Sequence, residues 1–276
     1  MALMPATPAW PPQSTPRLFV DTPLAPGPLH VDGPAAHYLV GVMRMKVGDP
    51  VKLFDDRTGE WLGVASSVGK RDLVLDVTEL LRPREDVPDL WLCAAPLKKG
   101  RVDWMAEKAC ELGVARLVPV VTRRTIVDKP NTERLRTQMI EAAEQCGRTA
   151  LPEVTEPVKL AALLRDWPED RALFFADETG GVPALEAMRS RPGPAAILIG
   201  PEGGFDADER EAIRAHPQAV GIGLGPRILR AETAAGAAIA VWMAAAGDWR
   251  GDENADGDGD GDGDGAGCRA GGGADT

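Results

Sequence analysis

From Leu90 onward the chain repeats one unit, a short apolar run followed by a helical stretch. The runs are LWLCAA (90–95), ARLVPVV (115–121), ALFFAD (172–177), AAILIG (195–200) and AVGIGLG (219–225). Each is apolar nearly throughout rather than alternating, which is how a strand covered on both faces reads. Strands of this kind separated by helices predict an α/β domain built on a parallel sheet. Helix ends are marked as well. Asp103 is placed to cap a helix running to Glu111, with Gly113 just past its end. Asn131 opens a second helix with the stripe Leu135, Met139, Ala142 and Cys146, closed by Gly147. Asp206 with Glu209 three residues on is a capping-box pattern opening a third. The last helix, TAAGAAIAVWMAAA (233–246), is apolar almost all round. It must be buried on more than one side, across the domain core or against a second subunit.

The first part of the chain has another rhythm. Between Arg17 and Arg82 lie short β-like runs, VKLF (51–54), WLGVAS (61–66) and LVLDVTEL (73–80), with turn chemistry between them. They suit a small antiparallel barrel, and HYLVGVMRM (37–45) reads as a short amphipathic helix beside it. Residues 83–89, with two prolines and charged neighbours, read as a linker. Residues 1–16, with five prolines, are expected to be a disordered leader, and 251–276, dominated by Gly and Asp, a disordered acidic tail. The domains are therefore 17–82 and 90–250. The start carries no basic and apolar signal pattern and no apolar run is long enough to span a bilayer, so a cytoplasmic address is expected.

Charge is informative once divided. The tail holds seven Asp, one Glu and one Arg, a net of −7, which leaves only −4 of the total −11 for residues 1–250. A globally basic nucleic-acid binder is excluded, whereas recognition of RNA through local basic patches stays open. Cys93, Cys110, Cys146 and Cys268 are widely spaced, with neither a CxxC pair nor histidines at ligand spacing, so no metal site is expected.

Two strand ends are too rich in glycine and proline for ordinary connections. The first is ILIGPEGGFDADE (197–209), where Gly200, Pro201, Glu202, Gly203 and Gly204 join a strand to a capped helix. The second is GIGLGPRILRAETAAG (221–236), where Arg227 and Arg230 flank Ile228 and Leu229. Ligands of open α/β sheets bind outside the carboxyl ends of strands, and glycine lets the backbone approach them. Neither loop is a P-loop, since no Gly-Lys-Ser/Thr follows, and neither is a GxGxxG turn. If their strands are neighbours, the two loops meet in one pocket suited to an adenine-type cofactor, with Ile228 and Leu229 covering a flat ring.

IGPEGGF followed by LGPRILRAETA resembles the RsmE family of bacterial ribosomal small-subunit RNA methyltransferases. HYLVGVMRM, KKGRVDWMAEKACELGV (98–114) and EAAEQCGR (141–148) extend the likeness over roughly residues 17–247. The resemblance implies an N-terminal PUA-like barrel and a C-terminal SPOUT domain whose chain threads into a trefoil knot. It also implies a homodimer and transfer of a methyl group from S-adenosyl-L-methionine to N3 of one uridine in 16S rRNA. By position, Leu198, Ile199, Gly200, Pro201, Gly203, Gly204, Leu224, Gly225, Arg227, Ile228 and Leu229 would hold that cofactor. The uridine N3 proton must leave before nitrogen attacks, so a cation near the uracil carbonyls and a carboxylate are the groups to seek. Arg230 is assigned the first role and Glu202 the second, with Glu141 and Glu144 as other candidate bases.

RNA contacts, within an assembled small subunit, are expected from Arg17, Arg44, Lys98, Lys99, Arg101, Arg123, Arg124 and Arg148. Arg123-Arg124-Thr125 departs from the Ser-Glu-Arg-Ser-like stretch of many members, which leaves the RNA contacts at that point open. A non-catalytic RNA-binding protein is the rival class, but it has no use for paired glycine-rich loops. A Rossmann-type methyltransferase should show an acidic-Gly-x-Gly turn after its first α/β strand, where LCAAPLKKG stands instead. A SPOUT enzyme acting on ribose O2′ or on tRNA is the nearest alternative.

Overall fold

The structure, a computed structural model, describes residues 15–98, 100–127 and 129–250. The expected acidic tail and most of the expected leader lie outside them. Pro16, placed in the leader by sequence, is buried, and its carbonyl accepts the Lys52 amide at 2.9 Å.

The N-terminal unit is built from β1 (Arg17–Phe19), β2 (Gly27–Val31), β3 (Pro50–Phe54), β4 (Glu60–Val68) and β5 (Leu73–Arg82). Their order is β1-β3-β4-β5-β2. The sheet is mixed rather than wholly antiparallel, because β1 runs parallel to β3 while the other pairs are antiparallel. A helical turn α1 (Gly33–Ala36) passes into a π-helix over His37–Val42 where an amphipathic helix is expected. Leu39 and Ala36 from this segment join Leu53, Leu73 and Leu75 in a core of the unit's own.

The C-terminal unit adds β6 (Leu90–Ala94), α2 (Arg101–Glu111), β7 (Arg116–Val121), α3 (Thr132–Cys146), β8 (Glu153–Val154), β9 (Val158–Lys159) and α4 (Leu160–Arg165). Then follow β10 (Ala172–Ala176), β11 (Val182–Pro183), α5 (Ala184–Arg189), β12 (Ala195–Ile199), α6 (Ala207–Arg214), β13 (Ala219–Gly223) and α7 (Ala231–Ala245). The sheet order is β11-β13-β10-β12-β6-β7-β8, with β9 paired to β7, and every pair is parallel. Successive residues of a strand face opposite layers, as the pleat demands. Phe174, Ile197 and Ile199 pack under α2, α3, α5 and α7, while Leu173, Phe175, Ala196 and Leu198 pack under α4 and α6.

Capping follows the sequence in two helices of three. The Asn131 side chain accepts the Arg134 amide at 2.9 Å, Gly147 closes α3 in the left-handed conformation, and Asp206 and Glu209 exchange both capping-box bonds. Asp103 is instead the third residue of its helix, reaching back to the Gly100 amide at 3.2 Å and held by Arg134. The two units are fastened together at the end of α3. Arg17 bonds the carbonyls of Ala143, Glu144 and Arg148, Glu144 accepts the Phe19 amide, and Asp56 accepts the Leu151 amide. Phe54 of β3 is buried in the core of the C-terminal unit.

Candidate functional site

Because all strands of the large sheet are parallel, the segments that follow β7, β10, β12 and β13 leave from one edge. The two glycine-rich loops are among them, but their strands are not neighbours. β10 lies between β12 and β13, so a third loop, Asp177-Glu178-Thr179-Gly180-Gly181, fills the gap. It touches both. Gly204 has φ +64°, and a Cβ there would sit 2.5 Å from the Glu178 carboxylate, while one on Gly181 would lie 2.5 Å from the Gly221 carbonyl of β13. The β10 loop was not singled out by sequence, although ALFFADETGG carries the same signal of a buried strand ending in glycines.

Asp177 anchors this loop. Its carboxylate, 1% exposed, accepts the Thr179 amide and hydroxyl and the Arg214 guanidinium. Burial pushes its pKa up, but these hydrogen bonds and the Arg214 charge outweigh it and hold the group below the usual carboxylate range. Arg210 fixes Glu178 at 2.6 Å. The 200–204 loop is a turn closed by the Gly204 amide on the Pro201 carbonyl, and Arg124 holds the Gly203 carbonyl at 2.6 Å.

Arg101 draws the far side together. Its guanidinium lies 3.3 Å from Glu202, in the loop after β12, and 3.7 Å from Glu232, in the first turn of α7 just beyond the loop after β13. Both glycine-rich loops thus converge on one side chain.

The residues assigned to cofactor binding divide. Leu198 and Ile199 are strand residues whose side chains are spent in the core, and the Ile199 carbonyl accepts the Ala95 amide. Gly200 is covered by the Phe205 ring and Pro201 is buried, whereas Gly203 is exposed. Leu224 and Leu229 are half-buried against the core, and Gly225, Arg227 and Arg230 are exposed. Ile228 is 93% exposed, so within one chain it covers no ring beside Leu229. Arg230 is the N-cap residue of α7, and its side chain finds no partner among the described residues.

The expected RNA contacts divide as well. Two need correction, since Arg17 and Arg148 are buried ties. The Arg17 side chain is 10% exposed and bonded to Glu60 at 2.6 Å, and Arg148, 5% exposed, donates to the Cys110 and Val114 carbonyls. Arg101 and Arg124 serve the loops described above. Arg123 is exposed but paired with Asp206 and Asp208. Arg44 and Lys98 stand exposed, and Lys99 lies outside the described residues. Of the other candidate bases, Glu144 is engaged at the junction of the units and Glu141 is exposed on α3 beside Gln138. Among the described residues no group of three or more His, Cys, Asp and Glu could hold a metal ion, and no helix is long and apolar enough to cross a membrane.

This parallel sheet, with glycine-rich loops along one edge and a small β unit joined to it, falls in the class of RNA methyltransferases by comparison with known families. The family model described as an RNA methyltransferase domain matches residues 84–243, and that of an RNA methyltransferase PUA domain matches 31–78. Within that class the chain belongs to the ribosomal RNA small subunit methyltransferase E family. The Rickettsia conorii protein of that name is 32% identical over 208 residues, covering 74% of this chain and 84% of its own. That of Neisseria gonorrhoeae, solved bound to S-adenosylmethionine, is 26% identical with a TM-score of 0.77, covering 85% of this chain and 99% of that one. A Legionella pneumophila methyltransferase solved with the same cofactor is 30% identical with a TM-score of 0.76, covering 84% and 98%.

Proposed function

We propose that this chain methylates N3 of one uridine in 16S rRNA of the small ribosomal subunit, with S-adenosylmethionine as donor. The observation that carries the reading is the convergence of the loops after β10, β12 and β13, with Arg101 tying Glu202 to Glu232. The residues present fit the donor. Leu224 and Leu229 offer apolar surface to a base, and Gly225 leaves open space where a side chain would stand. Bound there, S-adenosylmethionine supplies a methyl group on a positively charged sulfur.

The protein's share is orientation, exclusion of water and control of one proton. Arg230, at the start of α7 and without a side-chain partner among the described residues, would face a uracil carbonyl and favour the nucleobase anion. Glu202 and Arg101 hold the loops in register. Phosphate contacts come from the exposed Arg44 and Lys98. The reading brings with it two domains, 17–82 and 90–250, joined by 83–89, a trefoil threading of the second and a homodimer. In that dimer the exposed Ile228 and half-exposed Trp104 would be covered by the partner. An rRNA substrate places the work in the cytoplasm.

The test is to map 3-methyluridine in 16S rRNA from cells lacking the gene, before and after complementation with the parent chain or Arg230→Ala. The parent restores one modified uridine and the variant does not. A full complement of 3-methyluridine in the deletion strain would reject the assignment, and a ribose or tRNA product would select the neighbouring SPOUT activity.

A further inference from the structure

Cys110 and Cys146 are far apart in sequence, but the packing of α2 on α3 brings them together where both helices end. Arg148, two residues past Cys146, donates to the Cys110 carbonyl at 2.7 Å and fixes the two helix ends against one another. The environments of the two residues are opposite. Cys110 is wholly buried, its sulfur 3.3 Å from the Met139 carbonyl, whereas Cys146 is exposed. The thiols are hydrogen-bonded to each other, with Cys110 donating. That bond pulls the Cys146 pKa down to about 6, and the Arg148 amide and the charges of Arg148 and Arg17 prevail with it against burial. The same bond, together with burial, pushes the Cys110 thiol up, so it keeps its proton. Cys146 also lines a cavity of about 210 Å³ whose walls include Arg82, Glu85, Arg148 and Trp249, and is open there to small solutes. Cys93 offers the contrast. It is fully buried, and burial pushes its pKa up to about 12.

We propose that Cys110 and Cys146 form a redox site, closing reversibly to a disulfide when the protein meets a hydroperoxide. An exposed thiolate flanked by cations and lying beside a second thiol is the arrangement that oxidants select. The Cys146 sulfur attacks the terminal oxygen of the hydroperoxide. A sulfur–oxygen bond forms as the oxygen–oxygen bond breaks, and the alkoxide or hydroxide that leaves takes a proton from water. Cys146 is then a sulfenic acid. The Cys110 sulfur attacks the Cys146 sulfur, the sulfur–sulfur bond forms, and the sulfur–oxygen bond breaks. The departing hydroxide leaves as water with the Cys110 proton. Two electrons have passed from the pair of sulfurs to the peroxide, and an external dithiol returns them by thiol–disulfide exchange. In a reducing compartment such a bridge is transient, which suits a sensor and not a structural staple. It forms where Arg17 and Arg148 fasten the end of α3, so oxidation acts at the junction of the two units.

The test treats the full chain with hydrogen peroxide, quenches by alkylation and maps the thiols by peptide mass. One bridge is expected, joining Cys110 to Cys146 and opened by dithiothreitol. Before oxidation, iodoacetamide should label Cys146 at least about tenfold faster than Cys110 or Cys93, as a thiolate in the open reacts ahead of buried thiols. Cys110→Ala should stop the reaction at a sulfenic acid on Cys146, trapped by dimedone. Cys146→Ser should form no bridge at Cys110. Because Cys146 is exposed, this second variant leaves the core intact and keeps the test valid if Cys110→Ala unfolds. A parent chain whose Cys146 goes on to the sulfinic acid while Cys110 stays free overturns the proposal. So does a bridge from Cys146 to Cys268, or a Cys146 that peroxide leaves untouched.

Discussion

Glu60 sits between two guanidinium groups, Arg17 at 2.6 Å and Arg82 at 3.0 Å, with its side chain 6% exposed. Burial alone would raise its pKa, but hydrogen bonds and charge from Arg82 and Arg17 prevail and hold it below the ordinary 4.5. A carboxylate whose folded pKa is depressed stabilises the fold above its unfolded value and loses that contribution as pH falls through the folded one. Glu60→Gln should therefore cost about 3 kcal/mol at neutral pH, the scale of breaking a buried pair. In urea titrations the gap between parent and variant should close as pH falls below about 4. A gap that persists unchanged in acid would mean that Glu60 acts through packing and not through charge. Arg17 and Arg148 also show what a local stretch of sequence leaves out. RLFV and EAAEQCGR give no sign that Arg17 and Arg148 face inward, because burial of a guanidinium depends on carbonyls supplied from distant segments. For Arg17 these come from residues more than 120 positions away.

At the level of elements, the loops carry the strongest local signals and the tightest geometry. Gly204 occupies the left-handed region at φ +64°, with the Glu178 carboxylate where a side chain would begin. Gly204→Ala should lower stability by about 1–2 kcal/mol for the backbone alone. It should also push the β10 and β12 loops apart, weakening S-adenosylhomocysteine binding at least tenfold by calorimetry. Unchanged affinity would detach the 200–204 turn from the ligand site. Periodicity and glycine content placed the long strands except β2, whose Gly27–Val31 run carries a proline and a histidine, together with the capped ends of α3 and α6 and both glycine-rich loops. Strand order was not legible in the same way. Insertion of β10 between β12 and β13 is a choice of pairing partners far apart in the chain, on which each strand's own apolar run is silent. That choice brings the 177–181 loop into the site and makes the meeting of the other two loops indirect.

Across the whole molecule, an RNA face has to be assembled from a body whose net charge is −4 over residues 1–250. Long-range attraction is therefore weak, and affinity has to come from individual exposed arginines held in fixed relation. The fastening of the two units at the end of α3 supplies that relation. Arg17 works inside the fastening, while Arg44 projects from the N-terminal unit in a left-handed backbone conformation, φ +56°, with no side-chain partner among the described residues. The two arginines should then fail differently. Arg44→Gln should leave the unfolding midpoint in place and reduce the slope of log K against log salt by about one, the signature of a lost phosphate contact. Arg17→Gln should leave that slope unchanged but lower the midpoint and loosen the junction, seen as faster proteolysis within residues 83–89. Titration of small subunits at about 50–200 mM salt, with a melting curve for each variant, separates the two. If Arg17→Gln flattened the salt slope at an unaltered melting temperature, its guanidinium would be on RNA and not between the units.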